Sequence, residues 1–174
     1  FGSLGCKTDT LYLSNVEVKR EELNKKIENA DIIYVGGGNT AYMMKVWQKY
    51  AVDKALMKAY KSGKVLSGLS AGSICWFIAG HCDSEFIEDR ENPKHKWVKG
   101  LGIIPYLHCP HYDEPERAGF DEFYSGQIAD AIALENQVAI VWDGYEMKVI
   151  KSNPNKNAFK LSWSDTGLNK EVLL

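Results

Sequence analysis

Apolar runs alternate along this chain with segments whose apolar residues recur every three or four positions. Residues 31–35 and 65–66 are apolar runs bounded by charge or glycine, which predicts buried parallel strands. A shorter run at 10–13 is a further strand candidate. Helical spacing predicts helices at residues 18–30, 41–47, 52–60 and 71–79. This order of strands and helices is typical of a doubly wound, mainly parallel α/β sheet with helices on both faces.

The second half of the chain has a different pattern. Residues 80–100 are polar and charged, which predicts a surface excursion. Strand-like segments then lead into Pro110, and residues 120–129 have helical composition. Strands are predicted at 131–134, 138–142, 145–150 and 158–163. Because Asp143-Gly144 is a two-residue turn signal, the tail should contain an antiparallel hairpin.

The composition indicates one ordinary globular domain over residues 1–174, with 45% hydrophobic and 25% charged residues. A net charge of -2 gives no electrostatic footprint for nucleic acid or for a membrane surface. We therefore expect a small molecule or a small peptide as partner, and a homodimer is the candidate assembly. The four cysteines form no C-x-x-C pair, so a reducing cytoplasm is the expected compartment. No apolar run approaches the roughly 18 residues of a membrane span.

The strongest motif is the G-x-S-x-G turn formed by Gly68, Ser70 and Gly72. An apolar strand enters it and a helix-like segment leaves it, which is the context of a nucleophile elbow. Glycines on both sides of the serine let the two arms of such a sharp turn pack closely. Ser70 is therefore the candidate nucleophile.

A serine nucleophile needs a base, a carboxylate that orients the base, and donors for the oxyanion. Of the four histidines, His108 lies inside an apolar run and is expected in the core, whereas His111 follows Cys109-Pro110 at a strand end. His111 is the candidate base, since Pro110 would end the strand and present the next side chain at the sheet edge. Chain order does not choose the acid; the candidates are Asp83, Glu85 and Glu88.

The oxyanion donors would be the backbone N–H of Ala71 and an N–H from the turn Gly36-Gly37-Gly38. The alternative function of that turn is a phosphate cradle. Neither G-x-G-x-x-G spacing nor a Lys-Ser/Thr pair after the glycines is present to support it.

Taken together, these motifs resemble the serine peptidase family of dipeptidase E and cyanophycinase, whose fold is that of class I glutamine amidotransferases. The likeness spans residues 10–165 and includes Asp83-Ser84 and the segment Cys109 to Asp113. It implies that Ser70 is the nucleophile, His111 the base, and the amides of Gly38 and Ala71 the oxyanion hole. The acid it implies is Asp83, with Glu85 as the alternative.

The chain departs from this family at its start, because family members begin with a further strand and helix. We therefore expect an amino-terminal portion to be missing. Dipeptidase E selects an amino-terminal aspartate, so the resemblance also calls for a cation near the elbow. Arg117 is the candidate for binding a substrate carboxylate, although it could equally pair with Glu114 or Glu122. Asn39, directly after the glycine run, is the second candidate substrate-binding residue.

The resulting hypothesis is a serine peptidase that hydrolyses short peptides through an acyl-enzyme, without metal or organic cofactor. One rival is an esterase or amidase that uses the same triad on a non-peptide substrate. Another is a catalytically silent, amidotransferase-like binding module. A metal site at His81, Cys82, Cys109 and His111 is the weakest alternative, since sequence spacing does not show that these side chains converge.

Overall fold

The computed structural model describes residues 1–14, 19–83 and 95–174. Short 3-10 turns lie at Gly2–Leu4 and Pro115–Arg117. The α-helices are α1 (Arg20–Asn29), α2 (Thr40–Tyr50), α3 (Val52–Lys61), α4 (Ala71–Ile74) and α5 (Phe120–Tyr124). The strands are β1 (Ile32–Val35), β2 (Val65–Gly68), β3 (Phe77–Cys82), β4 (Lys96–Lys99), β5 (Ile104–Cys109), β6 (Ala131–Leu134), β7 (Val138–Trp142), β8 (Met147–Lys151), β9 (Ala158–Ser164) and β10 (Gly167–Leu173).

Within the described residues the strands form three sheets. The largest has the order β10-β9-β6-β5-β3-β4, with parallel pairing among β6, β5 and β3 and antiparallel pairing at both flanks. Strands β1 and β2 form a separate parallel pair, and β7 and β8 form an antiparallel hairpin. The fold is therefore mixed α/β with parallel central strands and antiparallel carboxyl-terminal strands, as the sequence predicts.

Helices cover both faces of the large sheet. Side chains along β6 alternate between two clusters, one on each face. Ile132 and Leu134 pack with the cluster that contains α1, α2 and α3, whereas Ala131 and Ala133 pack with α5 on the opposite face. All four side chains are buried. A strand covered on both faces must be apolar at every position, which explains the uninterrupted run in this segment.

The three longer helices bury one stripe each. Leu23 and Ile27 are one turn apart on α1, and Val52, Leu56 and Ala59 form the buried stripe of α3. Helix α2 starts where the side chain of Asn39 accepts a hydrogen bond from the Tyr42 N–H at 2.9 Å. The sequence therefore predicts these helices correctly, with ends that differ by a few residues.

The segment after the elbow is where the sequence-based prediction was wrong. The helix expected at 71–79 ends at Ile74, and Phe77–Cys82 forms the strand β3 between β4 and β5. The segment expected to be a surface excursion thus contains the end of β3 and all of β4. Gly80 explains part of this packing, because a Cβ there would lie 2.6 Å from the Ile74 side chain. Tertiary pairing outweighs local helical preference in this segment.

Smaller differences lie elsewhere. Residues 10–13 form no strand, the helix expected at 120–129 covers only Phe120–Tyr124, and β10 was not anticipated. All four cysteines are free: Cys6 is exposed, whereas Cys75, Cys82 and Cys109 are buried. Burial raises the pKa of the Cys75 and Cys109 thiols above the ordinary value.

Candidate active site

Ser70 occupies a strained turn between β2 and α4. Its backbone has φ 57° and ψ −119°, which a residue with a side chain rarely adopts. The flanking glycines permit the turn: a Cβ on Gly68 would collide with the Gly72 carbonyl, and a Cβ on Gly72 with the carbonyl of Val35. The G-x-S-x-G motif is therefore required by the close approach of β1, β2 and α4.

The glycine run after β1 lies against this serine. A Cβ on Gly37 would be 3.3 Å from the Ser70 Cβ and 3.7 Å from its Oγ. In the described part of the chain, no backbone hydrogen bond uses the N–H of Gly38 or of Ala71. Two backbone donors are thus left for a ligand, one directly after Ser70 and one directly after Gly37, and a glycine at position 38 suits its φ of 134°.

His111 follows β5 and also has a left-handed backbone, with φ 57°. Its ring Nδ1 lies 2.8 Å from Asn136 Oδ1, which can only accept, so Nδ1 carries a hydrogen and Nε2 is the nitrogen with the lone pair in the neutral ring. The Asn136 amide in turn donates to Glu114 Oε1 at 3.0 Å, and that oxygen is 3.4 Å from His111 Nδ1. This pattern selects the ring tautomer that a general base needs.

Asp113 and Lys156 hold the partner of this histidine in place. The Asn136 backbone N–H donates to Asp113 Oδ1 at 2.8 Å, and Lys156 pairs with the other carboxylate oxygen at 2.7 Å. Burial raises the pKa of Asp113, but the bonds from Lys156 and Asn136 outweigh it and hold that pKa below the usual value. The carboxylate is therefore ionised at neutral pH and anchors Asn136.

A buried histidine connects the elbow to the strand that carries His111. His108 on β5 is fully buried, and its Nε2 lies 3.0 Å from the Ser73 hydroxyl on α4. Its Nδ1 donates to the Ile132 carbonyl at 2.8 Å, and its ring stacks on Phe77. The expectation of a core role for His108 is confirmed. Among the described residues no hydrogen bond joins the Ser70 hydroxyl to His111 directly.

Asp83 has a different partner from the one expected. Its carboxylate pairs with Arg117 Nη2 at 3.1 Å, whereas His111 Nδ1 bonds to Asn136 and has Glu114 within ion-pair distance. The geometry therefore favours Asn136 over Asp83 as the group that orients His111, and we revise that expectation. The alternative acid, Glu85, lies outside the described residues.

Arg117 is not placed as a free substrate-binding cation. The residue is only 4% exposed, and besides Asp83 it contacts the Nδ1 of His81 at 3.1 Å. Neither of the expected partners, Glu114 and Glu122, pairs with it in the part of the chain that the structure describes. Burial, with the nearby His95 and Arg117 charges, lowers the pKa of His81 to about 3, so His81 accepts from Arg117 as a neutral ring.

Strained backbone marks the candidate site. Four non-glycine residues in the described ranges have positive φ, and three of them are Ser70, His111 and Gln137, the residue after Asn136. Such conformations tend to persist at functional sites, where the surrounding structure holds them in place.

The comparisons with known proteins decide the family. A family model described as peptidase family S51 matches residues 1–150. The chain belongs to peptidase family S51. Membership makes this S51 chain a peptidase of the serine hydrolase type.

Among curated proteins, the S51 chain is 36% identical over 169 residues to the uncharacterized peptidase YgaJ of Bacillus subtilis, covering 95% of this chain and 70% of that protein. It is 34% identical to an uncharacterized peptidase of Listeria monocytogenes, covering 79% and 72%. A peptidase E of Streptomyces coelicolor is 27% identical over 52% of this chain and 36% of its own length.

Solved structures agree on the fold. A candidate peptidase E from Listeria monocytogenes EGD-e superimposes with a TM-score of 0.68 at 20% identity, covering 87% of this chain and 74% of that one. A peptidase from an acI-B1 Actinobacterium gives 0.61 at 20% identity, covering 88% and 60%. At this identity the likeness speaks for the fold alone.

Two further features of this S51 peptidase concern metal binding and membrane insertion. Within residues 1–14, 19–83 and 95–174, no group of three or more His, Cys, Asp or Glu side chains is arranged to hold a metal ion. In the same ranges, none of the helices has the length and apolar character needed to span a bilayer.

Sequence reasoning missed Asn136 and Glu114. Asn136 stands just after β6, and β6 is the parallel neighbour of β5, so both strands end at the same sheet edge. A polar residue at the carboxyl end of a neighbouring strand was the available signal. Both residues come after His111 in the chain, whereas the candidate acids Asp83, Glu85 and Glu88 lie between Ser70 and His111.

Proposed function

We propose that this S51 peptidase hydrolyses short peptides through an acyl-enzyme, with Ser70 as nucleophile, His111 as general base and Asn136 as the residue that orients the base. The observation that carries the proposal is the Nδ1–Asn136 bond of 2.8 Å, which uses the Nδ1 hydrogen and makes Nε2 the nitrogen that takes up the proton. The strained Ser70 turn supports it, because a nucleophile elbow needs that geometry.

In this mechanism His111 Nε2 removes the hydroxyl proton as Ser70 Oγ attacks the peptide carbonyl carbon. The N–H groups of Gly38 and Ala71 donate to the oxygen that becomes negative in the tetrahedral intermediate. His111 then gives its proton to the leaving amine, which breaks the C–N bond and leaves an ester on Ser70. Water, deprotonated by the same histidine, attacks that ester and releases the acid product.

Asn136 holds the His111 ring in position, but it does not stabilise the positive charge that the ring carries after it takes the proton of Ser70. An amide is neutral, whereas the carboxylate of Glu114 lies 3.0 Å from the Asn136 amide and 3.4 Å from His111 Nδ1. We assign that stabilisation to Glu114. The pair Asn136 and Glu114 thus takes the role that the sequence analysis gave to Asp83.

The proposed substrates are short peptides, with aspartyl dipeptides as the first class to test, in keeping with the resemblance to dipeptidase E. Asn39 is a candidate contact for them. Its side-chain oxygen Oδ1 accepts from the Tyr42 N–H, so the hydrogens of its side-chain amide are left to donate to a substrate. Arg117 is a weaker candidate than the sequence suggests, because Asp83 and His81 already occupy its guanidinium.

A dipeptide library with mass-spectrometric readout tests this function. Wild-type protein should release amino acids from a subset of dipeptides, and a fluorophosphonate should label Ser70. Ser67→Ala is the matched control, since Ser67 is a serine on β2 whose hydroxyl bonds to the Ile33 carbonyl.

The outcomes separate the rival functions. Hydrolysis of acyl esters without any dipeptide cleavage would replace the peptidase by an esterase. No labelling of Ser70 and no hydrolysis would leave a binding module with an amidotransferase-like fold.

A further inference from the structure

The nucleophile and the base belong to different sheets. Strand β2, which leads into Ser70, pairs with β1, whereas β5, which leads into His111, lies inside the six-stranded sheet. In the described ranges, backbone bonds link the elbow segment to the start of β5 only beyond Ser70, as in Ile104 N–H to Trp76 O at 2.9 Å. Besides this backbone pairing, the contact between Ser73 and His108 links α4 directly to β5, closer to Ser70 in the chain.

The contact between Ser73 and His108 has one consistent assignment of hydrogens. The Ile132 carbonyl can only accept, so His108 Nδ1 carries a hydrogen. Burial lowers the pKa of His108 to about 4, so the ring is neutral near pH 7 and Nε2 has a lone pair instead of a second hydrogen. The Ser73 hydroxyl is then the donor to Nε2 across 3.0 Å.

The Ser70 carbonyl competes for the same hydroxyl hydrogen, at 2.7 Å from Ser73 Oγ. That oxygen also accepts the N–H groups of Ser73 at 2.9 Å and Ile74 at 3.0 Å, so it does not depend on the hydroxyl for its only donor. His108 Nε2 is buried and would lose its partner without Ser73. A buried acceptor without a donor is unfavourable, so we assign a three-centre bond in which the Ser73 hydroxyl donates both to the Ser70 carbonyl and to His108 Nε2.

We propose that Ser73 and His108 are positioning residues for acyl transfer, which hold the Ser70 elbow at the working distance from His111. This inference rests on the function proposed above. Neither residue touches the peptide; both act through the backbone that carries the reacting groups.

Both histidines are held in position by hydrogen bonds to β6 or to a residue just after it. Strand β6 fixes His108 through the Ile132 carbonyl at 2.8 Å and, from the residue two places past its end, it fixes His111 through Asn136 at 2.8 Å. Stacking on Phe77 with ring centroids 4.1 Å apart keeps the His108 ring from tilting. The bond from Ser73 to His108 then holds α4, and with it Ser70 at the start of this helix, in a fixed position relative to β6.

The first test compares Ser73→Ala with Ser67→Ala. Loss of one positioning hydrogen bond should lower kcat and the rate of Ser70 phosphonylation by about tenfold, with KM changed less than about twofold. Ser67→Ala removes a hydroxyl bonded to the Ile33 carbonyl, on the strand before the elbow, and should leave both rates unchanged. Ser73→Thr, which restores a hydroxyl, should recover most of the loss.

A second test separates positioning from mere stabilisation of the fold. In His108→Gln the terminal amide occupies the place of Nε2 and can accept from Ser73, whereas in His108→Asn it occupies the place of Nδ1 and keeps only the Ile132 bond. Both variants should melt at lower temperature, but only His108→Asn should lose about tenfold in phosphonylation rate. Ser73→Ala combined with His108→Asn should be no slower than either change alone.

Equal phosphonylation of wild type and Ser73→Ala, or equal loss in His108→Gln and His108→Asn, would overturn the positioning role and leave the peptidase function standing. Failure of the wild-type protein to react at Ser70 at all would instead remove the proposed function, and this inference with it.

Discussion

The two halves of the candidate site are built by different means. On the nucleophile side, Ser70 is held by shape: glycine backbones at 68 and 72 let three segments approach closely. That side rests on the two-stranded pair of β1 and β2, which leaves Ile32, Tyr34 and Val65 exposed. On the base side, a chain of polar groups holds His111 beside the six-stranded sheet.

The difference teaches which kind of substitution each half should tolerate. A site held by backbone contact fails when volume is added, because carbonyl groups in a tight turn have nowhere to move. A site held by hydrogen bonds fails when a donor or acceptor is removed, because the remaining partner is left unsatisfied. The following predictions test this contrast.

Removing either reacting group should have the largest effect. Ser70→Ala and His111→Ala should each lower turnover by a factor on the order of 10⁴ to 10⁶, and the double variant should be little worse, since both groups act in one step. Steady-state kinetics on the best dipeptide of the library measures this. Losses that add in the double variant would mean that the two residues do not share a step.

Added volume should break the nucleophile side. Gly72→Ala places a Cβ on the Val35 carbonyl, and we expect a loss of about 3 kcal/mol in the free energy of unfolding, or no folded protein. Gly36→Ala is the matched control, because a Cβ there has no neighbour within 4 Å. Urea denaturation of both variants decides; equal stability would mean that the turn relaxes and that shape does not hold Ser70.

Loss of a polar partner should damage the base side without added volume. Asn136→Ala removes the acceptor of His111 Nδ1, so kcat should fall by a factor on the order of 10², while Asn136→Asp should keep most activity. Asp83→Asn is the control, since Asp83 pairs with Arg117: it should lower the melting temperature and leave kcat within a few-fold. The reverse result would restore Asp83 as the orienting acid.

Acid should weaken the packing that supports the base side. Burial lowers the pKa of His108 to about 4 and that of His81 to about 3, against an ordinary value of 6.5. Between pH 6.5 and 4 the unfolded chain therefore binds more protons than the native one at both positions. The stabilisation that comes from keeping these two histidines neutral should be fully present above pH 6.5. Below that pH the free energy of unfolding should fall by about 1.4 kcal/mol per pH unit for each histidine.

Denaturation at a series of pH values measures this slope. His108→Gln should remove about half of it, because only His81 is then left to titrate. A variant that keeps the full slope would mean that other groups cause the acid sensitivity.

The sequence was most informative where chemistry depends on backbone shape. A close approach of backbones requires glycine, so it can be recognised in the sequence at Gly68, Gly72 and the glycine run at 36–38. The structure places these glycines together. Asn136 and Glu114 carry no comparable signal, because a polar residue after a strand is ordinary. Their role depends on β6 lying parallel to β5, which no local pattern specifies.

The helix expected at 71–79 shows the same limit for secondary structure. Residues 77–82 are apolar enough for either state, and their strand conformation depends on β4 and β5, which come later in the chain. Arg117 is a similar case: its charge suggested a ligand, but its burial beside Asp83 is a property of the folded chain.

The buried cysteine directly after α4 reports on opening of the nucleophile side. Cys75 Sγ lies 3.2 Å from the carbonyl of Gly72, which belongs to the short helix that follows Ser70, while Cys6 is exposed. An alkylating reagent should modify Cys6 at once and reach Cys75 only when α4 separates from its neighbours. The rate of alkylation at Cys75, separated from the buried Cys82 and Cys109 by peptide mass spectrometry, would therefore measure how often the elbow opens, without any substrate present.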